Sequence, residues 1–125
     1  MSADAVAARL AALADPGYRA FQASLIPTLD PGRILGVRMP ALRALAKELA
    51  GTPEAEAFLS ALPHAYYDED NLHGLLVCAL RGYERCAGAL EAFLPYVDNW
   101  ATCDLLRPRC FERRPAGLER RAALW

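Results

Sequence analysis

Apolar residues recur every three or four positions along this chain, in short stretches that proline and glycine interrupt. The first stripe consists of Val6, Leu10 and Leu13, and Asp15-Pro16-Gly17 ends it. Such spacing lines one face of an α-helix with apolar side chains, and no run alternates in the manner of a half-buried β-strand. The sequence therefore predicts an all-α fold.

Further helices follow from the same pattern and its breakers. They are predicted over the stripe Tyr18, Phe21 and Leu25, from Pro40 to Gly51, from Thr52 to Pro63, over Asp68–Arg81, Tyr83–Leu94 and Asp98–Leu106, and from near Pro115 to Trp125. The stretch Thr28–Met39 is predicted to be a loop with one turn of helix. Short helices joined by short turns favour a HEAT-like helical-repeat solenoid of antiparallel helix pairs, although a helix bundle fits the same pattern.

Residues 1–125 are predicted to form a single domain. Its core is expected to contain Leu42, Leu45, Ala46, Leu49, Phe58, Leu59, Leu62, Leu72, Leu75, Leu76, Ala79, Cys86, Leu90, Phe93 and Leu94. The last helix ends on Leu124-Trp125, without the polar outer face that a terminal solenoid repeat needs. We therefore expect the chain to be the N-terminal part of a longer solenoid.

Charge is distributed unevenly along the chain. Residues 1–106 carry 8 Lys/Arg and 13 Asp/Glu, whereas residues 107–125 carry 6 Arg and 2 Glu. A basic segment such as this, which includes Arg107 and Arg109, can contact phosphate even when the whole chain is close to neutral. On charge alone, a solvated helix face explains the segment better.

Cysteine and histidine usage argues against a metal site. The four cysteines are Cys78, Cys86, Cys103 and Cys110, and all lie in apolar helical patterns without a C-x-x-C pair. Only His64 and His73 are available to complete a zinc site with them. We therefore predict no metal and no disulfide framework, and a reducing, cytoplasmic location. No apolar run is long enough to cross a membrane.

The segment 97–104 contains the pair that carries the most chemical information, Trp100 and Asp104. Residues four apart lie about one turn apart on the same helix face. Because an unpaired buried carboxylate costs several kcal/mol, Asp104 is expected either in an open groove or beside a cation such as Arg107 or Arg109. Without further information, a core tryptophan and a surface ion pair explain the spacing better.

Two other groups of polar residues have ordinary structural explanations. The segment 64–73 contains two histidines, two tyrosines and three acids near a helix start, where Asp68 or Asp70 can cap the helix. Its tyrosines are expected to be half-buried with solvated hydroxyls.

Separately, Arg43 and Lys47 lie four apart on the polar face of one predicted helix, and Arg38 precedes them. These three cations form a candidate phosphate-contacting ridge, although each is also ordinary surface charge.

Motifs of several common enzyme classes are absent from the sequence. It has no G-x-x-x-x-G-K, G-x-G-x-x-G, G-x-S-x-G or H-E-x-x-H. Nucleotide-binding, α/β-hydrolase and metalloprotease functions therefore have no support.

Three stretches, residues 34–49, 62–73 and 97–106, together resemble the AlkD-type DNA alkylation repair family of HEAT-like-repeat proteins. The resemblance implies a superhelical stack with a concave surface that binds double-stranded DNA carrying alkylated bases. It also implies a monofunctional glycosylase that removes 3-methyladenine or 7-methylguanine without metal or cofactor. The family's Trp and Asp of the catalytic cleft, four residues apart, match Trp100 and Asp104.

The chemistry of this pair agrees with that implied role. An ionised Asp104 would stabilise the oxocarbenium ion that develops on the sugar, and Trp100 would stack on the cationic base. Family members continue with repeats that supply an Arg and a second Trp, so this chain is expected to hold part of the site. The alternative is a non-catalytic helical-repeat module that binds DNA or protein, which the acidic balance of residues 1–106 favours.

Overall fold

Seven α-helices and two 3-10 turns form the part of the protein that the structure describes. This computed structural model describes residues 3–97 and 99–106, and for residues 3, 4, 100 and 104 only the backbone. The helices are α1 (Ala3–Ala12), α2 (Pro16–Leu25), α3 (Met39–Leu49), α4 (Pro53–Leu59), α5 (Tyr67–Cys78), α6 (Tyr83–Phe93) and α7 (Trp100–Leu105). The 3-10 turns are Pro31–Arg33 and Leu94–Tyr96. No strand occurs within these described ranges, and the prediction of an all-α fold is confirmed. The helix predicted from Pro115 lies outside them.

Side-chain caps and prolines set the starts of several helices. The Asp15 carboxylate accepts hydrogen bonds from the amides of Gly17 and Tyr18, so α2 begins at Pro16. The Thr52 hydroxyl accepts from the amide of Ala55 in the same way at the start of α4. The break predicted at Asp15-Pro16-Gly17 is therefore also the first turn of the next helix.

Helix α5 lies at the centre of the fold and contacts α1, α3, α4, α6 and α7. The apolar stripe of α3, which includes Leu42 and Leu45, packs on Leu72 and Leu76 of α5. Val77, on another side of α5, packs on α6. The core stripes predicted for α3 and α6 are confirmed, whereas Ala79 is exposed just past the end of α5.

The stripe predicted for α2 faces outward. Phe21 is 57% exposed and Leu25 is 51% exposed, whereas Gln22 is buried. Helix α2 turns its other face to the 31–34 loop, where the Arg19 guanidinium donates to the carbonyl oxygens of Ile34 at 2.8 Å and Pro31 at 3.0 Å. Hydrogen bonding to loop carbonyls thus decides the orientation of this helix.

Gly36 allows the loop before α3 to pass close to the start of α2. Its φ is +84°, and a Cβ at this position would lie 2.6 Å from the carbonyl oxygen of Asp15. The Gly36 carbonyl in turn accepts from the Asp15 amide at 2.9 Å. Only glycine combines this left-handed backbone with so close an approach.

Candidate functional site

The predicted catalytic pair lies on α7, a short helix with a capped N-terminus. The Asn99 side chain accepts a hydrogen bond from the Thr102 amide at 2.8 Å, and the helix begins at Trp100, two residues later than predicted. Residues 100 and 104 both lie within α7, so the helix that their spacing requires is confirmed. The side chains of Trp100 and Asp104 lie outside the described part of the structure, and their joint projection into a cleft stays a prediction.

Helix α7 is attached to α5 by a buried hydrogen bond. The Thr102 hydroxyl donates to the Asn71 side-chain oxygen at 2.7 Å, and both residues are buried. At the other end of α7, a Cβ at Gly74 would lie 2.9 Å from a methyl carbon of Leu106, so glycine allows the close approach of the two segments. Thr102 lies two residues from both 100 and 104, about 200° around the helix from each.

The three acids in the first turn of α5, where Asp68 or Asp70 was expected to cap the helix, are buried. Asp68 is 1% exposed, and its two carboxylate oxygens accept from the amides of Leu35 at 2.6 Å and Val37 at 2.9 Å. Burial raises the pKa of Asp68, although these backbone hydrogen bonds act in the opposite direction. Asp68 therefore does not cap its own helix; it holds the loop that leads into α3.

The neighbouring acids complete this arrangement. Glu69 accepts from the Tyr66 amide at 3.0 Å, as the acid of a capping box does, and burial raises its pKa. Asp70 lies 3.5 Å from the guanidinium of Arg33, in the 3-10 turn before α3. Tyr67 is buried, where a half-buried side chain was expected, and burial raises its pKa.

His64 and His73 form a hydrogen-bonded pair within a cluster of four aromatic rings. Nε2 of His64 lies 2.8 Å from Nδ1 of His73. The His64 ring stacks on Phe58 at 4.2 Å, and the His73 ring stacks on Phe93 at 4.4 Å. Burial lowers the pKa of His64 to about 4 and that of His73 to about 3, the latter with a contribution from its neighbour. Both rings are neutral at physiological pH, and they join α4, α5 and α6.

The three cations of the predicted ridge differ in their surroundings. Arg38 bonds to the Asp15 carboxylate at 3.1 Å and lies 4.9 Å from the centre of the Tyr18 ring. Arg43 and Lys47 are exposed on the outer side of α3, opposite its buried stripe. The ridge therefore has two solvated cations and one that is already paired. Arg107 and Arg109, predicted to contact DNA, lie outside the described residues.

No group of three His, Cys, Asp or Glu side chains in the described ranges is placed to hold a metal ion. Cys78, Cys86 and Cys103 are free thiols, and Cys103 is exposed, where a buried small hydrophobe was expected. None of the helices described has the length and apolar content that a bilayer span requires.

Sequence reasoning missed the polar residues that are buried around α5. Asp68, Asn71 and His73 lie in a helix that was predicted from its apolar stripe alone, and Asp and Asn are usually found at the surface. One feature of the sequence could have indicated their burial: many polar residues lie close together in a segment that has apolar helices on both sides.

The sequence matches a known protein family. The family model described as "DNA alkylation repair enzyme" matches residues 6–124. No curated protein and no solved structure matches the chain.

Proposed function

Because the chain belongs to the family of DNA alkylation repair enzymes, we propose that it is a DNA glycosylase that removes cationic alkylated purines of the 3-methyladenine or 7-methylguanine type. The observation that carries the proposal is the family match over residues 6–124, together with a helix that contains both Trp100 and Asp104. The substrate is double-stranded DNA with alkylated bases, and the reaction is hydrolysis of the N-glycosidic bond.

The leaving group determines what the protein must supply. When the bond between C1′ and the purine nitrogen breaks, its electron pair neutralises the positive charge of the base, so departure needs no general acid. Positive charge develops on the sugar instead. The Asp104 carboxylate stabilises that charge and accepts a proton from the water whose oxygen forms the new bond to C1′. Trp100 stacks on the cationic base and gains a cation–π interaction.

DNA contact is assigned to cations outside the catalytic pair. Arg43 and Lys47 are exposed together on α3, and Arg38 lies just before that helix. Arg107 and Arg109 add to these in the basic segment after α7. Because residues 1–106 are acidic on balance, binding is expected to depend on these few cations and to weaken steeply with salt.

The proposal is tested by incubating the protein with a duplex that contains one 7-methylguanine and measuring the released base by chromatography. Asp104→Asn should lower the rate of release at least about 100-fold, a typical loss for one electrostatic catalytic group. Trp100→Ala should also lower it. Glu91→Gln, on the exposed side of α6, is the matched control and should release base at the wild-type rate.

Two results would contradict this function. Equal rates for wild type, Asp104→Asn and Trp100→Ala would exclude the proposed mechanism. Salt-dependent DNA binding without base release would instead support the non-catalytic module, for which the acidic balance of residues 1–106 is the supporting observation.

A further inference from the structure

A buried hydrogen bond joins polar side chains of α5 and α7. The Thr102 hydroxyl donates to the Asn71 side-chain oxygen at 2.7 Å. Thr102 is 0% exposed and Asn71 is 2% exposed. The hydrogen bond therefore lies in an environment where losing it is costly.

A hydrogen bond between these helices constrains more than apolar packing does. Packing tolerates rotation of a short helix about its axis, whereas a hydroxyl and an amide oxygen must meet at a set distance and angle. Helix α7 has only six residues. Its N-terminus is capped by Asn99, and its C-terminus lies against Gly74 of α5. Thr102, in the middle, is therefore the point that sets the rotation of α7.

Rotation of α7 acts directly on the two positions of the catalytic pair. Residues 100 and 104 are each two residues from Thr102. A group on the surface of a helix lies roughly 5–6 Å from the axis, so a rotation of about 20° moves it by about 2 Å. Displacement on this scale at a reacting centre lowers catalytic rates by about 100-fold.

We propose that Thr102 and Asn71 are positioning residues of the glycosylase site, which hold α7 in the one rotation that presents residues 100 and 104 to the DNA. This inference rests on the proposed function. It assigns a purpose to a buried polar pair that an apolar contact of the same volume would replace without loss of packing.

The test separates positioning from stability by using Thr102→Val, which keeps the shape and removes the hydroxyl, and Thr102→Ser, which keeps the hydroxyl. Thr28→Val is the matched control, because Thr28 is exposed in the loop before α3. All variants are made in a Trp125→Phe background, so that Trp100 is the single tryptophan of the chain. Its near-ultraviolet circular dichroism and its quenching by acrylamide then report on α7 independently of activity.

Thr102→Val should lower kcat for base release by roughly 10- to 100-fold while KM for the duplex changes less than about twofold. The Trp100 signals should change with it, and Thr102→Ser should restore both kcat and the signals. Should Thr102→Val fail to fold, Thr102→Ala replaces it, since alanine also lacks the hydroxyl and has the highest helix propensity. The same loss of kcat and the same change in the Trp100 signals are then expected.

Wild-type kcat and wild-type Trp100 signals in Thr102→Val, or in its Thr102→Ala replacement, would overturn the positioning role. A loss of kcat without any change in the Trp100 signals, or one that serine does not restore, would overturn it as well. If the wild-type protein releases no base, the proposed function fails, and the Trp100 signals alone decide whether the hydrogen bond between Thr102 and Asn71 holds α7. The two failures are thus distinguishable.

Discussion

Acidification from about pH 7.5 to pH 5 should destabilise the protein through the buried pair His64 and His73. In the folded state burial lowers the pKa of these rings to about 4 and about 3, whereas unfolded histidine has a pKa near 6.5. The unfolded chain therefore binds more protons below that value. The stabilisation contributed by the pair is complete above about pH 6.5 and is lost as the pH falls from there toward the folded pKa values.

The size of the loss follows from the difference in proton binding. At pH 5 each unfolded imidazole gains about 2 kcal/mol by protonation that a neutral buried ring cannot gain. His73 is almost fully buried, whereas His64 is partly exposed and contributes less. The expected loss for the pair is therefore roughly 3–4 kcal/mol, a large part of the free energy of unfolding of a small domain. The raised pKa values of Asp68 and Glu69 act in the opposite direction, since these acids regain stability on protonation.

Urea unfolding followed by far-ultraviolet circular dichroism, at several pH values between about 5 and 7.5, measures this loss. The double variant His64→Phe/His73→Phe keeps four aromatic rings and contains no histidine, because the chain has only two. Its pH dependence therefore comes from the carboxyl groups. If the wild type and the double variant lose the same free energy of unfolding over this interval, the histidine pair is not the cause and the reasoning is refuted.

Three further results are expected. Gly36→Ala should lower the free energy of unfolding by more than about 1 kcal/mol, because the Gly36 backbone has a positive φ and a Cβ has no room there. Gly88→Ala on α6 should raise the free energy of unfolding by about 0.5–1 kcal/mol, because a Cβ there meets nothing within 4 Å. Equal urea midpoints for the two variants would contradict both expectations. Replacing Arg43 and Lys47 by glutamine should weaken binding to any duplex equally and reduce the slope of log affinity against log salt by up to about 1.8, measured by fluorescence anisotropy; an unchanged slope would place the DNA elsewhere.

Apolar periodicity was sufficient to predict the helices whose buried faces are apolar. The stripe from Leu42 to Leu49 and that from Cys86 to Phe93 are buried because no polar group competes for those faces. The same reasoning failed for α2, where hydrogen bonds from Arg19 to loop carbonyls turn the helix and leave Phe21 in solvent. Apolar periodicity takes account only of which side chains are apolar. It does not take account of backbone carbonyl groups that require a hydrogen-bond donor.

Part of the candidate site could be predicted from the sequence. The spacing of Trp100 and Asp104 was enough to predict that both lie on one helix, because that depends on chain geometry alone. The attachment of that helix was not predictable, since Asn71 and Thr102 are distant in sequence and each is ordinary at a protein surface. The burial of Asp68 was not predicted either, since the amides that it binds are also distant from it in sequence.

Helix α5 connects the two surfaces to which function is assigned, and it does so through polar bonds. Asp68 holds the amides of residues 35 and 37, directly before the cations of α3, and Asn71 holds Thr102 of α7. Burial of these groups gains little stability over apolar side chains of equal volume. Their advantage is that hydrogen bonds are directional, so each bond allows only one placement of the segment that it holds. A polar replacement of either residue should therefore disturb the placement of α3 or α7, whereas truncation of the apolar Val77 should lower stability while leaving both surfaces where they are.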